Sequence, residues 1–204
     1  VLGLRNVSLL SPDQHDNKTN TNSFHCLFCH GYESRGAPSA GVLAIGTGAD
    51  VMPAMHVAHN AAQLASCVTI YTNANPPLFE SMQAAASKKP QKFKVDNRKI
   101  VKLVKSPNGA DVIVHLEDGT EKTEGFLVHR PFTEVNGPFA AQLGCELTPQ
   151  GDYKTTNMFG ETTAHGVFAA GDCATMIKAV TTAMNLGNMV AAGLAGQLEA
   201  EMEE

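Results

Sequence analysis

Long runs of one character are missing from this 204-residue sequence, and each missing run removes a class of function. Its fifteen Lys and Arg gather no more densely than Lys88-Lys89 with Lys92 and Lys94 nearby, and the net charge is -5. DNA and RNA, which need clustered cations against phosphate, are discounted as partners. No apolar run approaches the roughly 20 residues that span a bilayer, and the opening residues lack the charged, apolar and small-residue succession of a signal peptide. No membrane partner and a soluble, cytoplasmic setting are therefore expected. A disulfide framework is lacking too. The five cysteines, an odd number, include only one close pair, and in a reducing compartment such a pair is more often redox-active or metal-binding. Internal repeats and low-complexity tracts are absent. The sequence opens without an initiator Met on Val1-Leu2-Gly3-Leu4, which reads as an apolar strand end and suggests a fragment.

What is present is the composition of a folded protein, 43% hydrophobic and 17% charged, at a length that accommodates one or two domains. Residues 7–23, rich in Ser, Asn, Asp and Thr, read as a loop or linker. Val42-Leu43-Ala44-Ile45, then Gly46 and Gly48, then Met52, Met55, His56, His59 and Ala62 at helical spacings read as strand, glycine turn and helix. Cys67–Tyr71 supplies the next strand, so the unit is βαβ and a parallel sheet is expected. A helix over Leu78–Lys88 follows. Strands come next at Phe93–Val95, Ile100–Val104 and Val112–Leu116, the last two joined through Ser106-Pro107-Asn108-Gly109. Gly125–His129 is a further strand, and Arg130-Pro131 marks a domain boundary. Beyond it lie a turn-rich stretch, Thr148–Thr163, a short strand, Gly166–Ala170, the turn Gly171-Asp172 and a long helix from about Thr175 to Glu199.

Chemistry concentrates in Phe24-His25-Cys26-Leu27-Phe28-Cys29-His30-Gly31. Two cysteines about one helical turn apart can close a disulfide, and a helix beginning there favours thiolate through its dipole. His30, whose side chain type titrates near neutrality, is a candidate general base for an incoming dithiol. Three other readings stand beside the redox pair: a zinc half-site with His25 or His30, a haem attachment from the literal Cys-x-x-Cys-His, and two inert buried cysteines. Zinc normally needs a second ligand pair, whereas Cys67, Cys145 and Cys173 are scattered singly. No metal site is assigned.

Gly46-Thr47-Gly48-Ala49-Asp50-Val51 carries two glycines of a dinucleotide fingerprint, placed where amides can cradle a pyrophosphate. Its third glycine is replaced by Val51, and Thr72-Asn73-Ala74-Asn75 offers neither an acid for a ribose nor arginines for a 2′-phosphate. A degraded NAD(P)H site is at least as well supported as a working one. Asp172 at a strand end reads, on spacing alone, as a helix cap. His56 and His59, three apart and with no third ligand in view, read as surface or half-buried helix positions.

Three stretches, Phe24–Glu33, Gly41–Gly48 and Gly166–Asp172 with Lys178-Ala179-Val180 beyond, together resemble the thioredoxin reductase-like flavoproteins of low molecular weight. They look most like the fungal small-molecule dithiol oxidases of gliotoxin type. The resemblance implies an α/β protein: a Rossmann-like, three-layer nucleotide-binding domain with an inserted β-meander, and the C-terminal part of a discontinuous FAD-binding domain. Gly3-Leu4-Arg5-Asn6 looks like the loop where the first half of that flavin domain ends, and the first half, with its pyrophosphate loop, is missing upstream. The implied division is 1–23, linker and remnant of the FAD domain; 24–130, the NAD(P)-binding-like domain that carries the cysteines; and 131–204, the C-terminal FAD segment.

Carried over residue by residue, the match implies that Cys29 faces the flavin, Cys26 exchanges with substrate, and His30 stands where thioredoxin reductases have an acid. Gly171 and Asp172 would bind FAD near its ribityl-phosphate portion. Lys178, Ala179 and Val180 would lie along the isoalloxazine, and Gly46 and Gly48 would form the nucleotide loop. The implied function is FAD-dependent oxidation of a small-molecule dithiol to a disulfide through Cys26 and Cys29, with oxygen as electron acceptor. An NADPH-dependent thioredoxin reductase-like enzyme and a truncated homologue that binds no FAD are the alternatives. Members of the family are usually homodimers. Loss of the upstream half predicts exposed apolar surface around Val167–Ala170 and the final helix.

Overall fold

The structure is a computed structural model that describes residues 4–7 (backbone only), 23–107 and 111–203. Most of the expected linker and the Asn108-Gly109 part of the expected turn lie outside the described residues, and the linker's two ends, Val7 and Ser23, belong to strands. The chain divides into two compact units, one from Ser8–Phe132 and the other from Val1–Val7 with Thr133–Glu204.

In the first unit the elements are β2 (Ser23–Phe24), α1 (Leu27–His30), β3 (Ala37–Leu43), α2 (Val51–Ala61), β4 (Ala65–Tyr71), α3 (Pro76–Ala86) and β5 (Phe93–Asp96). They are followed by β6 (Ile100–Lys105), β7 (Val112–Leu116), β8 (Glu121–Glu124) and β9 (Leu127–His129). Five strands form one sheet in the order β2-β9-β3-β4-β5, and every neighbouring pair is parallel. The other three, β6-β7-β8, form an antiparallel meander.

The three-layer arrangement follows from side chains alternating across the sheet. Val42, Ile70 and Val128 point to the layer where Ala54 and Ala58 of α2 and Leu78 and Met82 of α3 pack. Leu43, Tyr71 and Leu127, one residue along from them, point the other way, onto Ile100, Leu103, Val112 and Val114 of the meander. Both faces are covered, so these strands read as continuous apolar runs rather than alternating ones. Each fully buried aliphatic side chain here contributes about 1.5–3 kcal/mol. Gly41 is a glycine because a Cβ would meet Leu127 at 2.5 Å and the ring of Tyr71 at 3.0 Å. Helix α3 starts where it does because the Asn75 side chain accepts from the Leu78 amide at 3.2 Å and prolines fill its first positions.

In the second unit β1 (Leu4–Val7) pairs with β10 (Phe132–Val135), followed by α4 (Phe139–Gln142) and, at the end, α5 (Val180–Met202). Between α4 and α5 the chain is held by turns and by single bridges at Leu147–Tyr153, Thr155–Thr162 and Glu161–Phe168. The strand expected at Gly166–Ala170 is reduced to that last bridge, because left-handed glycines at φ +73° and +79° bracket it. Its small core is Ala140, Cys145, Tyr153, Ala169 and Cys173. The long helix buries no residue, and Val180, Met184, Leu198 and Met202 are exposed along it. The apolar surface expected at the final helix is there; Val167–Ala170, by contrast, is half-buried or buried. No helix among the described residues is long and apolar enough to cross a membrane.

Candidate functional site

All five parallel strands end on the same edge of the sheet, the edge where α/β folds bind ligands. Strand β2 delivers the cysteine pair there. Phe24 is anchored edge-on against Phe126, 5.9 Å between ring centres, and two residues later Cys26 forms the N-cap of α1 in extended conformation. The one-turn helix brings Cys29 back, its amide donating to the Cys26 carbonyl at 3.3 Å. The two sulfurs are joined in a disulfide, 2.08 Å between them and 5.4 Å between the Cα atoms. Of the readings open from the sequence, the redox pair is the one this geometry describes. Gly31 closes the turn without a side chain, since a Cβ would lie 2.5 Å from the Leu27 carbonyl oxygen.

Cys26 is half-buried while Cys29 and His30 are exposed. Phe28, between the cysteines, is 87% exposed. This aromatic was not singled out in the sequence, although its place inside the Cys-x-x-Cys is visible there. On the neighbouring strand, the ring Nδ1 of His129 lies 3.0 Å from the Ser23 hydroxyl.

Gly46 and Gly48 lie beyond β3, in a tight turn that leads into α2. Gly46 takes φ +56°, and the Thr47 hydroxyl donates to the Arg130 carbonyl at 2.8 Å. Asp50 is the N-cap of α2, yet its side chain makes no capping bond. An exposed carboxylate therefore stands at the helix N-terminus, where a dinucleotide would place its pyrophosphate, and like charges repel. The Asp50 carboxylate therefore disfavours a pyrophosphate at this loop. Around the next strand end, the Thr72 hydroxyl donates to Asn97 at 2.7 Å and the Asn73 side chain accepts from the Ile100 amide at 2.8 Å. The loop is stitched to the β5–β6 connection instead of being open to a ribose.

Beside it lies a charged cluster that sequence spacing did not reveal. Asp96, 7% exposed, accepts from Arg98 and Lys122, each at 2.7 Å. Burial alone would raise its pKa, but the hydrogen bonds from Arg98 and Lys122 outweigh it and hold the carboxyl well below the usual range. Arg98 also pairs with Asp118 at 2.7 Å, and holds that carboxyl down at about 2. Deeper in, the Tyr71 hydroxyl donates to Glu124 at 2.6 Å; burial and the carboxylate together push the phenol far up. An open groove of about 550 Å³ lies over Asp96, Arg98 and Lys122, but its cations are already paired.

In the second unit Gly171 and Asp172 form a tight turn at 171–173, with Gly171 at φ +79°. Asp172 is exposed. Lys178 has its ammonium on the Asp152 carboxylate at 3.0 Å, the Asp172 carbonyl at 2.7 Å and the Thr175 carbonyl at 2.9 Å. Helix α5 then begins at Val180, five residues later than the sequence predicts, with Ala179 as an extended N-cap that offers no side-chain bond. Its first-turn amides are free of a side-chain cap, and an acceptor oxygen of a flavin ring suits such a site. The exposed Asp172 carboxylate suits a polyhydroxyl chain. These residues fit FAD.

Comparison with known proteins agrees with this arrangement. Residues 19–187 match the sequence pattern of the pyridine nucleotide-disulphide oxidoreductases. The thioredoxin reductase aclD of Aspergillus oryzae is 47% identical over 176 residues, which are 86% of this chain and 55% of that protein. A thioredoxin reductase of Gibberella zeae is 41% identical over 204 residues, 96% of this chain and 59% of that protein. The chain thus spans a little over half the length of these curated relatives. Among solved structures, HlmI superposes with a TM-score of 0.74 at 25% identity, over 98% of this chain and 59% of that one. The thioredoxin reductase TrxB of Bacillus anthracis, at 20% identity and a TM-score of 0.73 over 98% of this chain and 63% of that one, shares the fold. The disulfide at a sheet edge, the three-layer unit beneath it and these matches lead to one conclusion: the chain belongs to the pyridine nucleotide-disulphide oxidoreductase family.

Proposed function

We propose that the chain carries the redox disulfide of an FAD-dependent thiol–disulfide oxidoreductase that oxidises a small-molecule dithiol, with dioxygen as final acceptor. The observation that carries this reading is the closed Cys26–Cys29 disulfide, with Cys29 and His30 exposed. A substrate thiolate attacks one sulfur of the pair, forming a mixed disulfide and releasing the other cysteine as thiolate. The second substrate thiol then attacks the substrate sulfur of that mixed disulfide and displaces the enzyme cysteine as thiolate, leaving an oxidised substrate and a reduced Cys26–Cys29 pair. His30 takes one proton at a time from the substrate thiols and hands it to a released cysteine thiolate, so that both protons end on the reduced pair. Phe28, exposed between the cysteines, offers an apolar surface to the body of the substrate.

Two electrons must then leave the reduced pair, and FAD, when bound, would supply two-electron acceptor chemistry there, with dioxygen as the final oxidant and hydrogen peroxide as the by-product. Gly171, Asp172, Ala179 and Val180 are the residues of this chain that would hold it. Cys29 is the cysteine assigned to the flavin side and Cys26 to substrate exchange. The relatives' names favour a second reading, an NADPH-fed thioredoxin reductase, and the Asp50 carboxylate at the start of α2 speaks against it.

The test follows peroxide formation from small dithiols, with and without NADPH, in the natural protein and in Cys29→Ser. Dithiol-dependent peroxide that falls by at least about a hundredfold in the variant is expected. Unchanged turnover in Cys29→Ser, or no flavin in the natural protein, would sink the proposal.

A further inference from the structure

Lys178 stands six residues past Asp172, in a segment that the sequence predicts as helix and the structure leaves unwound. All three donor positions of its ammonium are in use: the Asp152 carboxylate at 3.0 Å and the carbonyls of Asp172 and Thr175 at 2.7 and 2.9 Å. The Asp152 side chain is 8% exposed. Its backbone is fixed as well, because the Thr148 amide donates to the Asp152 carbonyl at 2.8 Å and the Tyr153 amide to the Cys173 carbonyl at 2.7 Å. Asp152 is thus a rigid post beside the turn at 171–173, and Lys178 ties the following loop to it.

From these contacts we infer that Lys178 is the positioning residue for the flavin site: anchored on Asp152, it fixes the loop 172–178 and so sets both the Asp172 carboxylate and the uncapped start of α5. The inference rests on the FAD reading of Asp172 given above. Two physical points support it. With the carbonyls at 172 and 175 held on one ammonium, the local amides bond elsewhere, Ile177 to the Thr175 hydroxyl at 3.2 Å and Ala179 to the Ile177 carbonyl at 3.1 Å, and the i to i+4 ladder starts only at α5. A cation whose charge is matched by a buried carboxylate also has little left to offer a flavin ring, so its influence on FAD passes through the backbone.

The test is a double-mutant cycle on Lys178→Met and Asp152→Asn with two readouts. One is FAD affinity, by titrating FAD-depleted protein with FAD and following flavin fluorescence. The other is amide hydrogen exchange over 172–183, with and without FAD. Each single variant is expected to weaken FAD by roughly tenfold, and the double variant by no more than either alone, because both remove one coupled contact. Exchange at 174–183 rises in both variants, and the midpoint potential of the bound flavin at saturating FAD stays where it is in the natural protein. A lowered potential in Lys178→Met, with FAD affinity intact in Asp152→Asn, would show a cation acting directly on the flavin and overturn the inference; additive losses would do the same. If Lys178→Met fails to fold, Asp152→Asn, which keeps the side chain's shape, decides alone. Should the natural protein bind no FAD, the cofactor reading falls by itself, and the exchange measurement still decides whether Lys178 and Asp152 hold the loop.

Discussion

The two units of this chain are held together in different ways. In the first, apolar side chains fill both faces of a parallel sheet, and the C-terminal halves of β3 and β4 are buried throughout. In the second, a tyrosine and four small side chains make up the core, turns and single bridges do the rest, and a long helix buries no residue. One unit closes its own core while the other leaves a helix face uncovered. The disulfide rides on the first and the candidate flavin residues belong to the second. A firm platform therefore carries the reactive sulfurs, and a lightly packed one carries the loop that Lys178 has to tie down.

Four substitutions break or sharpen this contrast. Phe126→Ala, which empties a fully buried site and removes the ring that Phe24 leans on, should cost about 3–5 kcal/mol. Denaturant melts followed by circular dichroism suit the measurement, since the protein has no Trp. Asp96→Asn should cost about 2 kcal/mol at neutral pH, less than a fully buried ion pair because Arg98 and Lys122 keep some solvent contact. The sign with pH follows from the depressed carboxyl of the folded protein. Its stabilisation is complete well above the unfolded pKa of about 3.9, declines as the pH falls through that value and is lost below the folded one. Acid melts of the natural protein and of Asp96→Asn should converge at low pH; parallel curves would remove Asp96 from the account.

In the second unit the sharpest expectation is Gly193→Ala, whose new methyl would run into Phe159 near its Cβ. A loss of about 1–3 kcal/mol would show that this small contact is what seats α5. Smallest is Leu198→Ala on the exposed face, 52% exposed, expected to change stability by no more than about 0.5 kcal/mol. A cost of 2 kcal/mol or more would mean that the face is covered in solution.

The sequence disclosed what local pattern can disclose. The cysteine pair, the glycine turn after β3 and the runs that became β3, β4, β6 and β7 were legible because each is written in contiguous residues. Strand β8 was not: Glu121-Lys122-Thr123-Glu124 carries no apolar residue to mark a strand, and only the fold shows that Glu124 faces inward to the Tyr71 hydroxyl, 53 positions away. The start of α5 escaped for the same reason. Nothing between Thr175 and Ala179 announces a break, and the partner that imposes it, Asp152, lies 26 positions earlier. Charges that settle far-off geometry leave no periodic trace.

The placement of β2 also bears on the order in which the protein is made. Of the strands of its sheet among the described residues, Ser23–Phe24 comes first in the chain, yet its neighbour there is β9, and Ser23 and Phe24 pair with Leu127 and Val128. On a ribosome, more than a hundred residues must emerge before the edge strand that carries the cysteines has anything to bind. Throughout that interval Cys26 and Cys29 are on an unanchored segment, three positions apart and free to meet each other or a stranger. Whatever thiols the cell presents during synthesis reach this pair before its fold does.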